Sequence, residues 1–254
     1  MVYTDIIIFG YVLDLPQLAM FLLVGVLIGM SKTGVSGANM IAVPILAIVF
    51  GGLKSSGLML PILIMADFFG VSYYHRHAEY KYLWKLFPWA ILGVMIGTYT
   101  GTHISDEVFR QIMGATIFTS LIVMVLLEKD KREKIPDFWW FTGFLGLLAG
   151  FTTMVGNLAG SIMALYLLSM RLPKNQFIGT AAWFFLGINL FKVPFHIWSW
   201  NSITVNSFLL DLILLPSVAL GAFLGVKIVQ KLPEKAFRGF IIIMTAVAAI
   251  FIMV

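Results

Sequence analysis

Ser31-Lys-Thr-Gly-Val-Ser-Gly-Ala-Asn39 interrupts an apolar run that extends from Leu15 to Phe50. The run is too long for one crossing helix, and its two arms are short. At 1.5 Å per residue, Leu15–Met30 reaches about 24 Å and 38–50 about 20 Å, against a hydrocarbon core of ~30 Å. The same shape returns later, where 139–153 and 160–169 flank Thr153-Met-Val-Gly-Asn-Leu-Ala-Gly160. Both stretches predict helical hairpins whose polar apex lies inside the protein. Apolar blocks near 55–74, 86–104, 107–127, 176–197, 205–227 and 235–253 read as ordinary crossings.

Composition agrees with this reading. Of 254 residues, 60% are hydrophobic and 11% charged, less than half the charge of an ordinary soluble domain. No charge falls in 33–53, 86–102, 111–127, 138–170, 212–226 or 239–254, and runs this apolar without period-2 alternation exclude a transmembrane barrel. The expected class is all-α integral membrane: a polytopic helical bundle in contact with the lipid bilayer. The absence of cysteine excludes disulfides, thiolate metal sites and thiol relays. Asp5 ahead of Ile6–Phe9, with no basic region before it, argues against a cleavable signal, so 1–14 is expected to be an interfacial lead-in.

The chain also repeats itself. Pro88-x4-Gly93-x3-Gly97, followed by Ser105-Asp106-Glu107-x-Phe109-Arg110, recurs 128 residues later as Pro216-x4-Gly221-x3-Gly225, followed by Pro233-Glu234-x-x-Phe237-Arg238. Gly25-x3-Gly29 is echoed by Gly146-x3-Gly150. The division is an N-terminal repeat (1–127), a charged cytoplasmic linker (128–137) and a C-terminal repeat (138–254), each a broken-helix hairpin plus three transmembrane helices. The glycine ridges read as small-residue packing faces.

An odd number of crossings per half gives the repeats opposite orientations. With the linker inside, Arg76, Lys81, Lys85, Lys129, Lys131, Arg132, Lys134, Arg171, Lys174, Lys227, Lys231, Lys235 and Arg238 are cytoplasmic, which is thirteen of seventeen basic residues. Lys54, Arg110 and Lys192 fall on the other side, and Lys32 sits in an apex. This bias favours inverted repeats with both termini out, and it accounts for the net charge of +5 without a nucleic-acid partner. Trp84, Trp89, Trp139, Trp140, Trp198 and Trp200 stand at block ends, as an interfacial belt does.

Inverted repeats with interrupted helices place a site near the bilayer midplane. Helix N-termini there present unpaired N–H groups and positive potential, which suit an anion. One apex offers Ser31, Thr33, Ser36 and Asn39, and the other Thr152, Thr153, Asn157 and Ser161. Gly34, Gly37, Gly156 and Gly160 let the backbone approach a ligand. A tetrahedral oxyanion fits this lining, although such polar groups also satisfy broken-helix backbone without any ligand. Lys32 at membrane depth needs a counter-charge, either the substrate or a protein carboxylate, unless it snorkels to water. Asp67, mid-way along 55–74, is a candidate for proton coupling or an ion-pair partner of Lys32. Lys192 and His196 are expected to be interfacial, and Asp211 a structural acid near the start of its helix. His75 and His77 lie in a basic loop without metal-ligand spacing.

Gly25-Val-Leu-Ile-Gly29, Gly34-Val-Ser-Gly37 with Pro44, and Gly146-Leu-Leu-Ala-Gly150-Phe-Thr-Thr-Met-Val-Gly-Asn157 with Ala159-Gly160, together with the Pro-x4-Gly-x3-Gly segments, resemble the TauE/SafE sulfite exporter family over essentially the whole chain. The resemblance implies a bacterial inner-membrane permease for a small sulfur-containing anion such as sulfite, a sulfonate or sulfoacetate. The expectation is a secondary transporter working by alternating access, without cofactor, metal or catalytic residues. A passive anion channel and an integral membrane enzyme are the alternatives.

Overall fold

The computed structural model describes residues 6–35, 38–50, 52–101, 103, 108 and 138–253. A β-hairpin leads in, with Ile6–Ile8 (β1) pairing antiparallel to Tyr11–Leu13 (β2). Phe9 and Gly10, both at positive φ, make its two-residue turn. The expected lead-in is therefore a hairpin, and it leaves Ile7 and Val12 exposed. Helices follow at Leu15–Lys32 (α1), Ala38–Phe50 (α2), Gly52–Tyr74 (α3), Tyr80–Gly101 (α4), Trp139–Gly156 (α5), Gly160–Ser169 (α6), Lys174–Pro194 (α7), Val205–Leu212 (α8), Leu215–Lys231 (α9) and Glu234–Met253 (α10). The crossing expected at 107–127 and the linker 128–137 lie outside the described residues. The protein is an all-α membrane protein. Among the described residues, Leu15–Lys32, Ser55–His77, Trp139–Gly156 and Lys174–Ser199 are each long and apolar enough to cross a membrane, and α8 with α9 would form a bent fifth span.

Both expected helix breaks are present. Asp14 starts α1 with a reciprocal cap, accepting from Gln17 N at 2.7 Å while its own N–H donates to Gln17 Oε1 at 3.0 Å. The helix ends at Lys32, two residues beyond the expected boundary, and Gly34 at φ +119° turns the chain toward α2. Likewise α5 runs to Gly156, three residues beyond expectation. Asn157, left-handed at φ 57°, closes it by donating its N–H to the carbonyls of Thr152 and Thr153. With 18 residues each, α1 and α5 reach about 27 Å, nearly the whole core, so only α2 and α6 are short arms.

The block near 205–227 is not one continuous helix. It breaks at Ile213–Leu214 and bends by 50°. Pro216 explains the break, because it has no N–H to offer the carbonyl of Leu212 and its ring crowds that same group.

Glycines decide how the helices pair. Gly25 and Gly29 of α1 lie against Leu214, Val218 and Ala222, while Gly221 and Gly225 of α9 lie against Val26, Met30 and Thr33. A Cβ on Gly29 or Gly221 would run into the facing backbone. The same arrangement joins α4 to α5, with Gly93 and Gly97 against Leu147, Phe151 and Met154, and Gly146 and Gly150 against Leu86, Trp89 and Ala90. Each half thus lends a glycine-ridged helix to the other half's hairpin. Helices α3 and α7 run antiparallel: Gly57 abuts Ser202, Gly179 abuts Tyr74, and Asp67 meets Asn189 between them. Two apolar clusters result. One holds Phe21, Ile28, Leu58, Ile62, Leu210 and Val218, and the other Leu86, Ala90, Leu145, Ile162, Tyr166 and Phe184. Of the six tryptophans expected at the interfaces, Trp84, Trp139, Trp140 and Trp198 are exposed. Trp89 and Trp200 instead pack on Gly143 and Gly101.

Candidate functional site

Between the two breaks runs a buried chain of polar side chains. Lys32, the last residue of α1, places Nζ 2.8 Å from Asp67 Oδ1, with both side chains buried. Asp67 Oδ2 accepts from Asn189 Nδ2 at 2.7 Å. Asn189 Oδ1 in turn accepts from Lys192 Nζ at 3.1 Å, one helix turn along α7. Lys192 Nζ also donates to Asn157 Oδ1 at 2.6 Å and Thr153 Oγ1 at 3.2 Å, both at the second break. Finally, Asn39 Nδ2, in the first turn of α2, donates to the Asn157 carbonyl at 3.1 Å and closes the path between the breaks.

Two lysines stand along this chain against one carboxylate, and Asp67 pairs with Lys32. Lys192 is fully buried and is held by three neutral oxygens, with no carboxylate partner among the described residues. A desolvated cation with only dipolar partners is costly, and an anion beside it offsets that cost. Lys32 has a second favourable neighbour, the Phe185 ring with its centroid 4.0 Å from Nζ.

A cavity of about 40 Å³ opens beside the first break. Ser31, Lys32, Gly34 and Asn39 line it on one side, Gly160 and Met163 on another, and Phe177, Ile178 and Phe185 of α7 on a third. Three buried polar atoms of the two breaks lack hydrogen-bond partners: Asn39 Oδ1, Asn157 Nδ2 and Ser161 Oγ. Buried donors and acceptors rarely stay unpaired, so these are free to take up a ligand or water.

The expected apex residues therefore divide. Ser31, Lys32, Gly34, Asn39 and Gly160 border the cavity, while Thr153 and Asn157 hold Lys192. Gly156 ends α5 beside Asn157. Thr33 and Thr152 turn back to their own helices, bonding the carbonyls of Gly29 and Leu148 at 3.1 and 2.8 Å, which is the backbone-satisfying role. Ser36 and Gly37 lie outside the described residues. Asp67 takes the ion-pair role with Lys32.

Lys192 and His196 lie toward the end of their span as expected, but neither side chain reaches the surface: both are fully buried within the protein. Lys192 belongs to the polar chain, and His196 Nδ1 lies 2.9 Å from Ser202 Oγ with its ring against Trp200. Position along the helix gives depth but not lateral burial, and here one face, with Lys192 and His196, packs against protein while Leu190, Ile197 and Trp198 stay exposed. Asn189 escapes sequence reading altogether. The available signal is the spacing of Asn189, Lys192 and His196 at i, i+3 and i+7, a polar stripe on an otherwise apolar helix that has to face protein. Asp211 does lie within the first two turns of its helix, but that helix is short and ends one residue later, at a bend.

The profile of the sulfite exporter TauE/SafE family matches residues 21–252. The chain belongs to this family. No curated protein and no solved structure matches it. In this TauE/SafE protein the matched segment includes both breaks and every member of the polar chain from Lys32 to Lys192.

Proposed function

We propose that the protein is a secondary transporter that carries a small sulfur-containing anion, of the sulfite, sulfonate or sulfoacetate class, across the bacterial inner membrane by alternating access. The observation that carries this reading is Lys192, a fully buried lysine held between Asn157 and Asn189 with no carboxylate partner among the described residues, where a bound anion would favour its charged form. The anion supplies the missing charge, and the unpartnered groups of Asn39, Asn157 and Ser161 supply orientation. The cavity of about 40 Å³ is lined by Lys32 and Asn39 and not by Lys192, so it is a second place along the polar chain where a compact anion such as sulfite would fit.

Inverted repeats with both termini outside are part of the same reading. Support comes from α3 and α7, the helix that follows the hairpin in each half, which lie antiparallel, and from the reciprocal pairing of α1 with α9 and α4 with α5. Alternating access then exposes the two breaks in turn.

Flux into proteoliposomes tests it, with sulfite, thiosulfate, sulfate, sulfoacetate and taurine each offered with and without a pH gradient. Saturable uptake and accelerated exchange against internal sulfite are expected. Non-saturating flux without exchange would assign the protein as a passive anion channel instead, and no flux of any of the five would overturn the substrate class.

A further inference from the structure

Asp211 stands apart from the polar chain. It is fully buried near the end of α8, and both its carboxyl oxygens lack a hydrogen-bond partner among the described residues. Its neighbours Leu210 and Leu214 are buried in the apolar cluster with Leu58, Ile62 and Val218. Here a carboxylate ion would have neither a donor nor a cation, a cost of several kcal/mol that a neutral acid avoids.

Among the charged groups whose side chains are described on the elements around it are Asp67 on α3, Lys32 on α1, and Lys227 and Lys231 on α9. Asp67 and Lys32 are bonded to each other, and Lys227 is roughly 24 Å further along the chain as helix. A hard metal ion would need about six oxygens, and among the described residues no cluster of His, Cys, Asp and Glu forms around Asp211. A proton needs one carboxyl.

Position gives that proton a mechanical consequence. Asp211 lies at the 50° bend that leads into α9, and α9 is locked onto α1 by Gly29 against Val218 and Gly221 against Val26. At its far end α1 carries Lys32, on the wall of the cavity.

We propose that Asp211 is a proton-binding site, separate from the anion site, whose occupancy sets the α8–α9 bend and so couples proton movement to anion movement. The inference rests on the transport reading above. In the step envisaged, a water-exposed –COO⁻ takes H⁺ from one aqueous phase to become –COOH, is buried in that neutral form, and returns H⁺ to the other phase when the bend opens. Asp67 is the less suitable carrier, since Lys32 and Asn189 already occupy both its oxygens.

Proteoliposomes with a pH-sensitive dye inside and a sulfite gradient across them test this directly. Wild type should change internal pH as sulfite moves. Asp211→Asn, an isostere of the neutral acid, should lose the dye signal and the response to an imposed pH gradient but keep sulfite–sulfite exchange, while Asp211→Glu should retain both. A normal dye signal in Asp211→Asn overturns the proposal. So does saturable sulfite flux in wild type without proton movement, an outcome that leaves the transporter reading intact. Infrared difference spectra decide independently of flux. Wild type at neutral pH should show the C=O band of a protonated carboxyl, shifted in Asp211→Glu, and its absence overturns the proposal.

Discussion

Asn39 donates its side-chain amide to the main-chain oxygen of Asn157 at 3.1 Å, so two helix breaks 118 residues apart in sequence touch. Asn157 serves both ends of that contact, because its side-chain oxygen accepts from Lys192 at 2.6 Å. Displacing either break therefore moves the buried ammonium group.

Lys192→Gln should remove one charge-assisted contact to the anion, worth about 1.5–3 kcal/mol, or roughly ten- to a hundredfold in affinity. Thermal stability without ligand should stay level or rise, since an uncompensated buried charge goes with it. Melting curves with and without sulfite separate the two effects, because a ligand bound only to the native state raises Tm by an amount that grows with the logarithm of its concentration over Kd. Asn157→Leu should also lose the sulfite-dependent rise, by leaving Lys192 without its shortest bond.

How much of this was legible beforehand follows from what sequence patterns encode. The breaks at 31–39 and 153–160 are written in glycines and small polar residues between short apolar arms, and they fall where the structure places them. Position along a helix says nothing about lateral neighbours, which is why the burial of Lys192 and His196 on the protein-facing side of this helix end could not be read in advance. The pairing of Lys32 with Asp67 was one of two open readings, since nothing in the chain fixes which helix lies beside α1. Pro216 was visible as a repeat marker. Its effect as a helix breaker depends on whether packing compensates, and Pro61 and Pro88 sit inside continuous helices.

The glycine contacts make an opposed pair of expectations. Gly150→Ala places a Cβ inside the backbone of Ala90 and should separate α4 from α5, costing at least about 1–3 kcal/mol as overpacking does. Gly239→Ala, in the interior of α10 with nothing near its added Cβ, should be neutral or stabilise by up to about 1 kcal/mol. Thermal unfolding in detergent reads both. Equal effects would mean that the close approach of α4 and α5 is not what holds them.

Orientation can be read against a clean background, since the chain has no cysteine of its own. Asn201→Cys should react with an impermeant thiol reagent from outside the cell, whereas Glu79→Cys and Lys235→Cys should react only from the cytoplasm. Ser202 and Tyr74 stand at opposite ends of the antiparallel α3–α7 pair, so Asn201 and Glu79 must label from opposite faces. Labelling of both from one face would contradict a membrane-spanning α3–α7 pair.

Lys32 and Asp67 form a couple whose members should be worth little together and much apart. Lys32→Gln leaves a buried carboxylate with only Asn189 to bond it, and Asp67→Asn leaves a second buried ammonium uncompensated. Each single change should cost about 3–5 kcal/mol of stability. The double variant Lys32→Gln/Asp67→Asn removes both charges and should recover most of that loss, giving a large coupling in a double-mutant cycle. Sulfite binding adds a second axis to the test. With Lys32 neutralised by Asp67, the double variant should keep most of its sulfite-dependent rise in Tm, whereas Lys192→Gln should not. A double variant that is stable but no longer responds to sulfite would show that Lys32 leaves Asp67 for the anion, and the ligand would then belong at the cavity wall, not at Lys192.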